Sequence, residues 1–211
     1  MKFVFATGNS GKLREAREIL GEGFELVTPA EMGITEEIPE TGNTLTTNSR
    51  QKAEYVRDRC GCDCFADDTG LEVDILGGAP GVHTARYAGE EKDFNRNIDK
   101  LLDEMSRKQL EAAFASEAGL SVRKYGRKAR FRCVVTLILN GEEHYFEGTL
   151  EGRIALSRSG NGGFGYDPVF IPDEYPDRTL SDITEEQKNA ISHRGKALRA
   201  MAEWLSENKE R

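Results

Sequence analysis

Lys2-Phe3-Val4-Phe5-Ala6-Thr7-Gly8-Asn9-Ser10-Gly11-Lys12-Leu13 opens the chain, and its reading decides the fold class. Lys2 to Ala6 reads as a strand, which Thr7 to Lys12 breaks with two glycines. Leu13, Ala16, Ile19 and Leu20 then recur at helical spacing, and Gly21 with Gly23 ends the helix. Phe24 to Val27 reads as a second strand. Strand, glycine turn, helix and strand form a βαβ-like start.

Working outward, residues 28 to 44 are loop-like, rich in Thr, Pro and Gly, and Asn48 to Asp58 resumes a helical pattern. Phe65-Ala66 reads as a short strand running into an acidic turn, Asp67-Asp68-Thr69-Gly70. Gly77 to Gly81 is irregular, and Phe94 to Met105 carries a helical stripe of Ile98, Leu101, Leu102 and Met105. Phe131 to Leu139 is strongly β-prone, Asn140-Gly141 is a hairpin signal, and Glu143 to Gly148 is the partner strand. A glycine-rich stretch from Ser159 to Pro168 follows. Leu198, Met201, Ala202 and Leu205 share one face of a C-terminal helix capped by Ser192. Helices around a βαβ-like start and a central hairpin imply an α/β protein with a mixed sheet flanked by helices. No repeat or long linker divides residues 1 to 211, so a single domain is expected.

The chain has 211 residues, with 37 Asp plus Glu against 29 Lys plus Arg. At this length a core needs no disulfide or metal staple. The pI near 5.1 argues against a general nucleic-acid binder, though not against a small phosphorylated ligand. No apolar run approaches the ~20 residues that span a bilayer, and the N-terminus lacks a signal peptide's apolar region, so a cytoplasmic protein is the expectation. Cys60, Cys62 and Cys64 form a Cys-x-Cys-x-Cys run whose spacing does not suit zinc. Ordinary reduced thiols are the better reading.

Four segments carry residue types suited to chemistry. Thr7 to Lys12 reads either as a phosphate loop, with helix N-terminal amides and the Lys12 cation, or as a structural turn. It is no Walker A motif, because Leu13 stands where Ser or Thr is needed. Asp67-Asp68, with Glu72 and Asp74 beyond, suits a hard cation such as Mg²⁺ and an activated water, or is an acidic surface turn. Gly160 to Asp167 sets Phe164 and Tyr166 between glycines, either to stack on a base or to pack in the core. Lys188 and Ser192-His193-Arg194 lie at a helix start, where an imidazole and a guanidinium can grip oxygen acceptors. No arrangement suggests covalent catalysis.

Thr7-Gly8-Asn9-Ser10-Gly11-Lys12, Phe65 to Asp74, Gly78 to Gly89, Gly163 to Pro168 and Ser192-His193-Arg194 together resemble the inosine triphosphate pyrophosphatase family. These XTP/dITP diphosphatases clear aberrant purine nucleotides. The resemblance implies an elongated two-lobed α/β protein with an active-site cleft between the lobes, and a homodimer. It also implies Mg²⁺-dependent hydrolysis of a purine nucleoside triphosphate (ITP, dITP or XTP) to monophosphate and pyrophosphate. Carried over by position, Thr7, Gly8, Asn9, Ser10, Gly11 and Lys12 would hold the triphosphate, with Lys52 nearby. Asp68 would be general base and metal ligand, with Asp67 a second ligand and Thr69 touching substrate. Phe164 would stack on the purine, in a pocket lined by Gly165, Tyr166 and Asp167. Lys188, His193 and Arg194 would contact phosphate, sugar or the base's oxygen.

Two departures stand out. The family reads Glu-Asn-Ala before the helix carrying Lys52, and that Glu is a metal ligand. Here Thr47 takes its place with a neutral, weaker ligand, so either metal affinity falls or Asp67 or Glu72 compensates, and activity is expected to survive at a higher Mg²⁺ requirement. Residues 106 to 127 also exceed the usual link, as a surface helix or a dimer contact. Two other readings follow: a related Maf-like pyrophosphatase for pyrimidine or modified nucleotides, and a nucleotide binder with impaired catalysis.

Overall fold

The computed structural model describes residues 1–115, 126–160 and 162–208. Its elements, in chain order, are β1 (Lys2–Phe5), α1 (Ser10–Leu20), β2 (Glu25–Val27), α2 (Leu45–Cys60), β3 (Cys64–Val73), β4 (Pro80–Gly81) and α3 (Phe94–Ala115). After these come β5 (Lys128–Leu139), β6 (Glu142–Ile154), β7 (Phe170–Pro172), α4 (Glu185–Ile191) and α5 (His193–Glu207). The strands form one sheet in the order β2-β1-β3-β5-β6-β7, with β4 paired to β3. β1 runs parallel to β2 and β3, whereas β4 and β7 pair antiparallel with β3 and β6. The expected mixed α/β sheet is present.

The hairpin between β5 and β6 turns on Asn140-Gly141, both with positive φ (52° and 86°). That pairing of left-handed residues matches the twist of the flanking strands, which is why Asn-Gly signals the turn so well.

By its internal packing the chain divides into two units: Met1–Thr69 with Cys133–Thr149 and Ser192–Arg211, and Gly70–Arg132 with Leu150–Ile191. In the first, side chains alternate across the sheet. Phe3, Phe5, Phe65, Cys133, Val135 and Leu137 pack with Ala16 and Leu20 of α1 and Leu198, Met201 and Leu205 of α5. Val4, Ala6, Cys64, Ala66 and Ile138 pack with Ala53 and Val56 of α2. The period of two thus assigns one sheet face to α1 and α5 and the other to α2. In the second unit, Ile98, Leu101 and Met105 of α3 bury against Leu71, Val73, Phe131, Leu150, Ile154 and Phe170. No described helix is long and apolar enough to cross a membrane.

Two elements differ from expectation. Asp67-Asp68-Thr69-Gly70 does not turn; β3 runs straight through it from Cys64 to Val73. Polar residues and a glycine look like a turn by propensity, but strand formation depends more on packing and pairing partners than on intrinsic preference. The helix expected over Phe94 to Met105 continues as α3 to Ala115, which absorbs the start of the unusual 106–127 segment. Residues 116–125 of that segment, and Asn161 of the glycine-rich stretch, lie outside the described residues.

Cys60 ends α2, Cys62 follows in the turn and Cys64 is in β3, so the three do not share a strand face. All four cysteines are free thiols, and burial pushes the Cys64 and Cys133 thiols up to about 12. Such thiols are protonated and inert at neutral pH.

Candidate active site

Alternation along β3 sends Asp67 and Asp68 to opposite faces of the sheet. Asp67 follows Phe65 onto the α1/α5 face, and Asp68 follows Cys64 and Ala66 onto the α2 face. Both are buried, at 1% and 8% exposure, whereas an acidic surface turn would leave them in water. A buried carboxylate costs several kcal/mol unless it is paired, so its partners are the site.

Asp67 is held by two cations. The Lys12 ammonium lies 3.0 and 2.9 Å from its two oxygens, and Arg194 Nε donates to Oδ2 at 3.0 Å. Thr69 Oγ1 lies 3.4 Å from Oδ2. Burial would raise the Asp67 carboxyl, but Lys12, Arg194 and Lys52 outweigh it and hold the group far below the usual aspartate range. Arg194 is itself buried, and Asp67 and Glu15 keep it charged. Glu15 also accepts from Ser192 Oγ at 3.2 Å, tying the start of α5 to α1.

The placement of α5 is local in origin. Ser192 is its N-cap, its hydroxyl accepting from Gly195 N at 2.9 Å, as the sequence predicts. Gly148 on β6 lets the helix come close, because a Cβ there would collide with the carbonyl of His193. His193 and Arg194 therefore occupy the first turn of α5 against the sheet.

At the other helix start, Asn9 caps α1, accepting from Gly11 N at 2.9 Å and Lys12 N at 3.1 Å, and Asn9 N donates to Thr7 Oγ1. Thr7 to Lys12 thus forms a strand-to-helix loop with Lys12 leaning on Asp67. Anions are favoured at such a helix start by its dipole and its N-terminal amides.

On the α2 face, Asp68 Oδ2 accepts from Asn48 Nδ2 and Oδ1 from Lys52 Nζ, each at 3.2 Å. Lys52 also reaches Glu40 at 2.6 Å. Burial raises the Asp68 carboxyl above the ordinary aspartate value, with Lys52 and Lys12 offsetting only part of it. Burial would lower the Lys52 ammonium, but Asp68, Asp67 and Glu40 prevail and keep it raised. A carboxylate with elevated basicity beside a fixed cation is equipped to take a proton from water.

The second unit carries its own cluster. Lys188 of α4 pairs with the buried Asp167 at 2.6 Å, and Asp167 also accepts from Phe164 N at 2.8 Å. Burial raises the Asp167 carboxyl, with Lys188 pulling against it. Gly163 takes φ +77°, and a Cβ there would strike the Asp167 carboxylate, so the glycine is needed for the loop to close over that group. The Phe164 ring is 53% exposed, with Lys188 Nζ 4.4 Å from its centroid, while Tyr166 is 3% exposed and donates its hydroxyl to Thr84 O at 3.0 Å.

Among the residues expected from sequence, the structure therefore gathers Lys12, Lys52, Asp67, Asp68, Thr69 and Arg194 within the first unit. It gathers Phe164, Asp167 and Lys188 within the second. Tyr166 packs in the core of the second unit, and Asp67 engages cations with both oxygens. Glu72, expected to compensate for Thr47, instead pairs with Arg132 at 2.9 Å and Arg130 at 3.6 Å. Glu15 and Glu40 were missed. Glu15 follows Lys12 by one helical turn and was a readable signal; Glu40 sits in an irregular loop and was not.

Known proteins resemble this chain over nearly its whole length. A dITP/XTP pyrophosphatase of Porphyromonas gingivalis is 47% identical over 204 residues, covering 97% of each chain. One from Flavobacterium psychrophilum is 43% identical, covering 97% of this chain and 99% of its own. Among solved structures, a HAM1 protein from Coxiella burnetii superposes with a TM-score of 0.84 at 33% identity, covering 98% of this chain and 99% of that one. The Ham1 family model matches residues 3–204, which include Asp67 and Asp68 of β3, the capped loop before α1 and the Ser192-His193-Arg194 start of α5. The chain belongs to the Ham1 family.

Proposed function

We propose that this protein is a nucleoside triphosphate pyrophosphohydrolase that converts ITP, dITP and XTP to the monophosphate and pyrophosphate, and so clears aberrant purines from the nucleotide pool. The observation that carries the reading is the pair Asp67-Asp68 on one strand: one carboxylate fixes two cations, the other is a buried base beside Lys52. The names of the relatives support the same reading.

A triphosphate carries about four negative charges, which Lys12, Lys52 and Arg194 offset without reorganising. Asp68 takes a proton from the water that attacks the α-phosphorus, the bond to the bridging oxygen breaks, and pyrophosphate leaves. Asp67 keeps Lys12 and Arg194 placed and charged. Phe164 stacks on the base. The Lys188 ammonium, a donor beside that ring, meets an acceptor in a 6-oxo purine but a competing donor in adenine, the kind of mismatch that discriminates strongly.

The donor chemistry fits a divalent cation, taken here to be Mg²⁺. Among the described residues no three His, Cys, Asp or Glu side chains converge. Mg²⁺ needs no such cage, since it commonly takes one or two carboxylates with waters and substrate phosphates. Asp68 would hold it. When bound, the cation neutralises charge on the phosphates and acidifies water. A homodimer belongs to the same reading and is checked by sedimentation equilibrium.

The test is release of pyrophosphate from ITP, XTP, dITP, ATP and dUTP at equal concentration with Mg²⁺. Preference for the 6-oxo purines is expected, and preference for dUTP would overturn the reading. Within it, Phe164→Ala should raise KM for ITP roughly ten- to hundredfold at little cost in kcat, since stacking on an aromatic ring contributes about 1–3 kcal/mol. An unchanged KM would remove Phe164 from the base site.

A further inference from the structure

Two of the four thiols are neither buried nor used by the chemistry above. Cys60 is the last residue of α2 and Cys62 lies in the turn before β3, both partly exposed. Only Gly61 separates them, and its φ of +65° folds the chain back on itself. Cys62 N donates to Cys60 Sγ at 3.3 Å, and the Cys62 thiol donates to Cys60 O at 3.2 Å. Each sulfur thus lies against the other residue. The hydrogen bond to the Cys60 sulfur, more than burial, raises the Cys62 thiol above its ordinary value, so Cys62 keeps its proton until Cys60 has reacted.

The turn that presents the pair is fixed from both sides. Arg57 Nη1 donates to Gly61 O at 3.2 Å, and Gly61 N closes the helix on Arg57 O at 2.9 Å. Just past the pair, Asp63 Oδ1 accepts from Asn140 N at 2.9 Å, which ties the turn to the β5–β6 hairpin. A Cβ at Gly61 would meet nothing, so the glycine serves the left-handed turn rather than a close contact. Residues two apart in such a turn meet the limit of about 7 Å between bridged Cα atoms, so side-chain rotation suffices to join the sulfurs.

We propose that Cys60-Gly61-Cys62 is a thiol–disulfide exchange site, closed reversibly into an intramolecular disulfide by small disulfides such as oxidised glutathione. Cys60 gives its proton to solvent and attacks one sulfur of the small disulfide, whose S–S bond breaks as one thiolate leaves. Cys62 then gives up its proton and attacks Cys60 Sγ, and the mixed bond breaks as the second thiolate leaves. Both leaving groups take up protons. The protein has lost two hydrogens with their electrons, and the small disulfide has become two thiols; excess dithiol reverses the steps. Exposed disulfides are the labile, exchangeable ones, unlike bridges sealed in a core. The closed form joins the end of α2, which carries Lys52, to the lead-in of β3, which carries Asp68.

The full-length protein, reduced and then freed of reductant, is incubated with excess oxidised glutathione and read by intact mass after an acid quench. The expected product has lost the mass of two hydrogens, and dithiothreitol returns both thiols to alkylation. Cys62→Ser should stop after the first step and hold roughly tenfold more glutathione adduct than the parent, because it lacks the intramolecular thiol that displaces the adduct. Cys60→Ser should not lose the two hydrogens, and near-UV circular dichroism checks that both variants are folded. A parent that keeps a stable glutathione adduct, links to a second copy, or leaves both thiols open to alkylation overturns the proposal. Ring closure in Cys60→Ser overturns it equally, since the bridge would then involve another cysteine. Pyrophosphate release plays no part in this readout, so the exchange site and the proposed function fail separately.

Discussion

Asp68→Asn is expected to lower kcat for ITP by about a thousandfold while leaving nucleotide binding within a few-fold of the parent. General-base catalysis by a positioned side chain accounts for roughly 10²–10⁴ in rate. Asparagine preserves shape and keeps an acceptor for Lys52, but it cannot accept the water's proton. Its place on the α2 face explains why folding should survive: Lys52 retains Glu40 at 2.6 Å, so no buried cation is orphaned. Lys12 and Arg194 lean on Asp67 and are untouched. Single-turnover release of pyrophosphate together with calorimetric titration of ITP into the variant separates chemistry from binding. A kcat within tenfold of the parent would remove Asp68 from the role of base.

The contrast between the two neighbouring carboxylates shows where sequence reading succeeds and where it stops. Elements whose signals are local were legible. The glycine break between Ala6 and Lys12 marks a loop because nothing nearby competes with it. Asn140-Gly141 marks a hairpin because both residues tolerate positive φ, and Ser192 marks a helix start because its hydroxyl serves an amide three residues on. The acidic pair was read as a turn because its stabilising partners are remote. Lys12 reaches Asp67 across 55 positions and Arg194 across 127, and only the folded sheet brings them together. Resemblance named most of the site residues, since a motif match needs no contacts. It named Asp68 as the base and Asp67 as a further ligand, but not the cations that Asp67 holds, because those follow from which face of β3 each carboxylate takes. Nor could it find Glu40, which shares the Lys52 nitrogen with Asp68 across an irregular loop.

Asp67→Asn should behave oppositely to Asp68→Asn, destabilising the protein by about 3 kcal/mol and costing activity as a consequence of misplaced cations. Removing one partner of a buried ion pair strands the other charge, a loss of about 3–5 kcal/mol. The lower end applies, because Arg194 keeps Glu15 and the Lys12 side chain, one-fifth exposed, can turn toward water. The pH dependence gives the sign a second check. Asp67 is held well below its unfolded value by Lys12 and Arg194, so it stabilises the fold at any pH above about 3.9, where the unfolded carboxyl is ionised. That contribution falls away as the pH drops below about 4, because the unfolded state then takes up a proton that the folded state refuses. Urea unfolding of parent and variant should therefore differ by a constant amount from pH 7 down to pH 5 and converge in more acidic solution. A difference below about 1 kcal/mol at pH 7, or one that widens toward acid, would mean that Asp67 is not the anchor of the two cations.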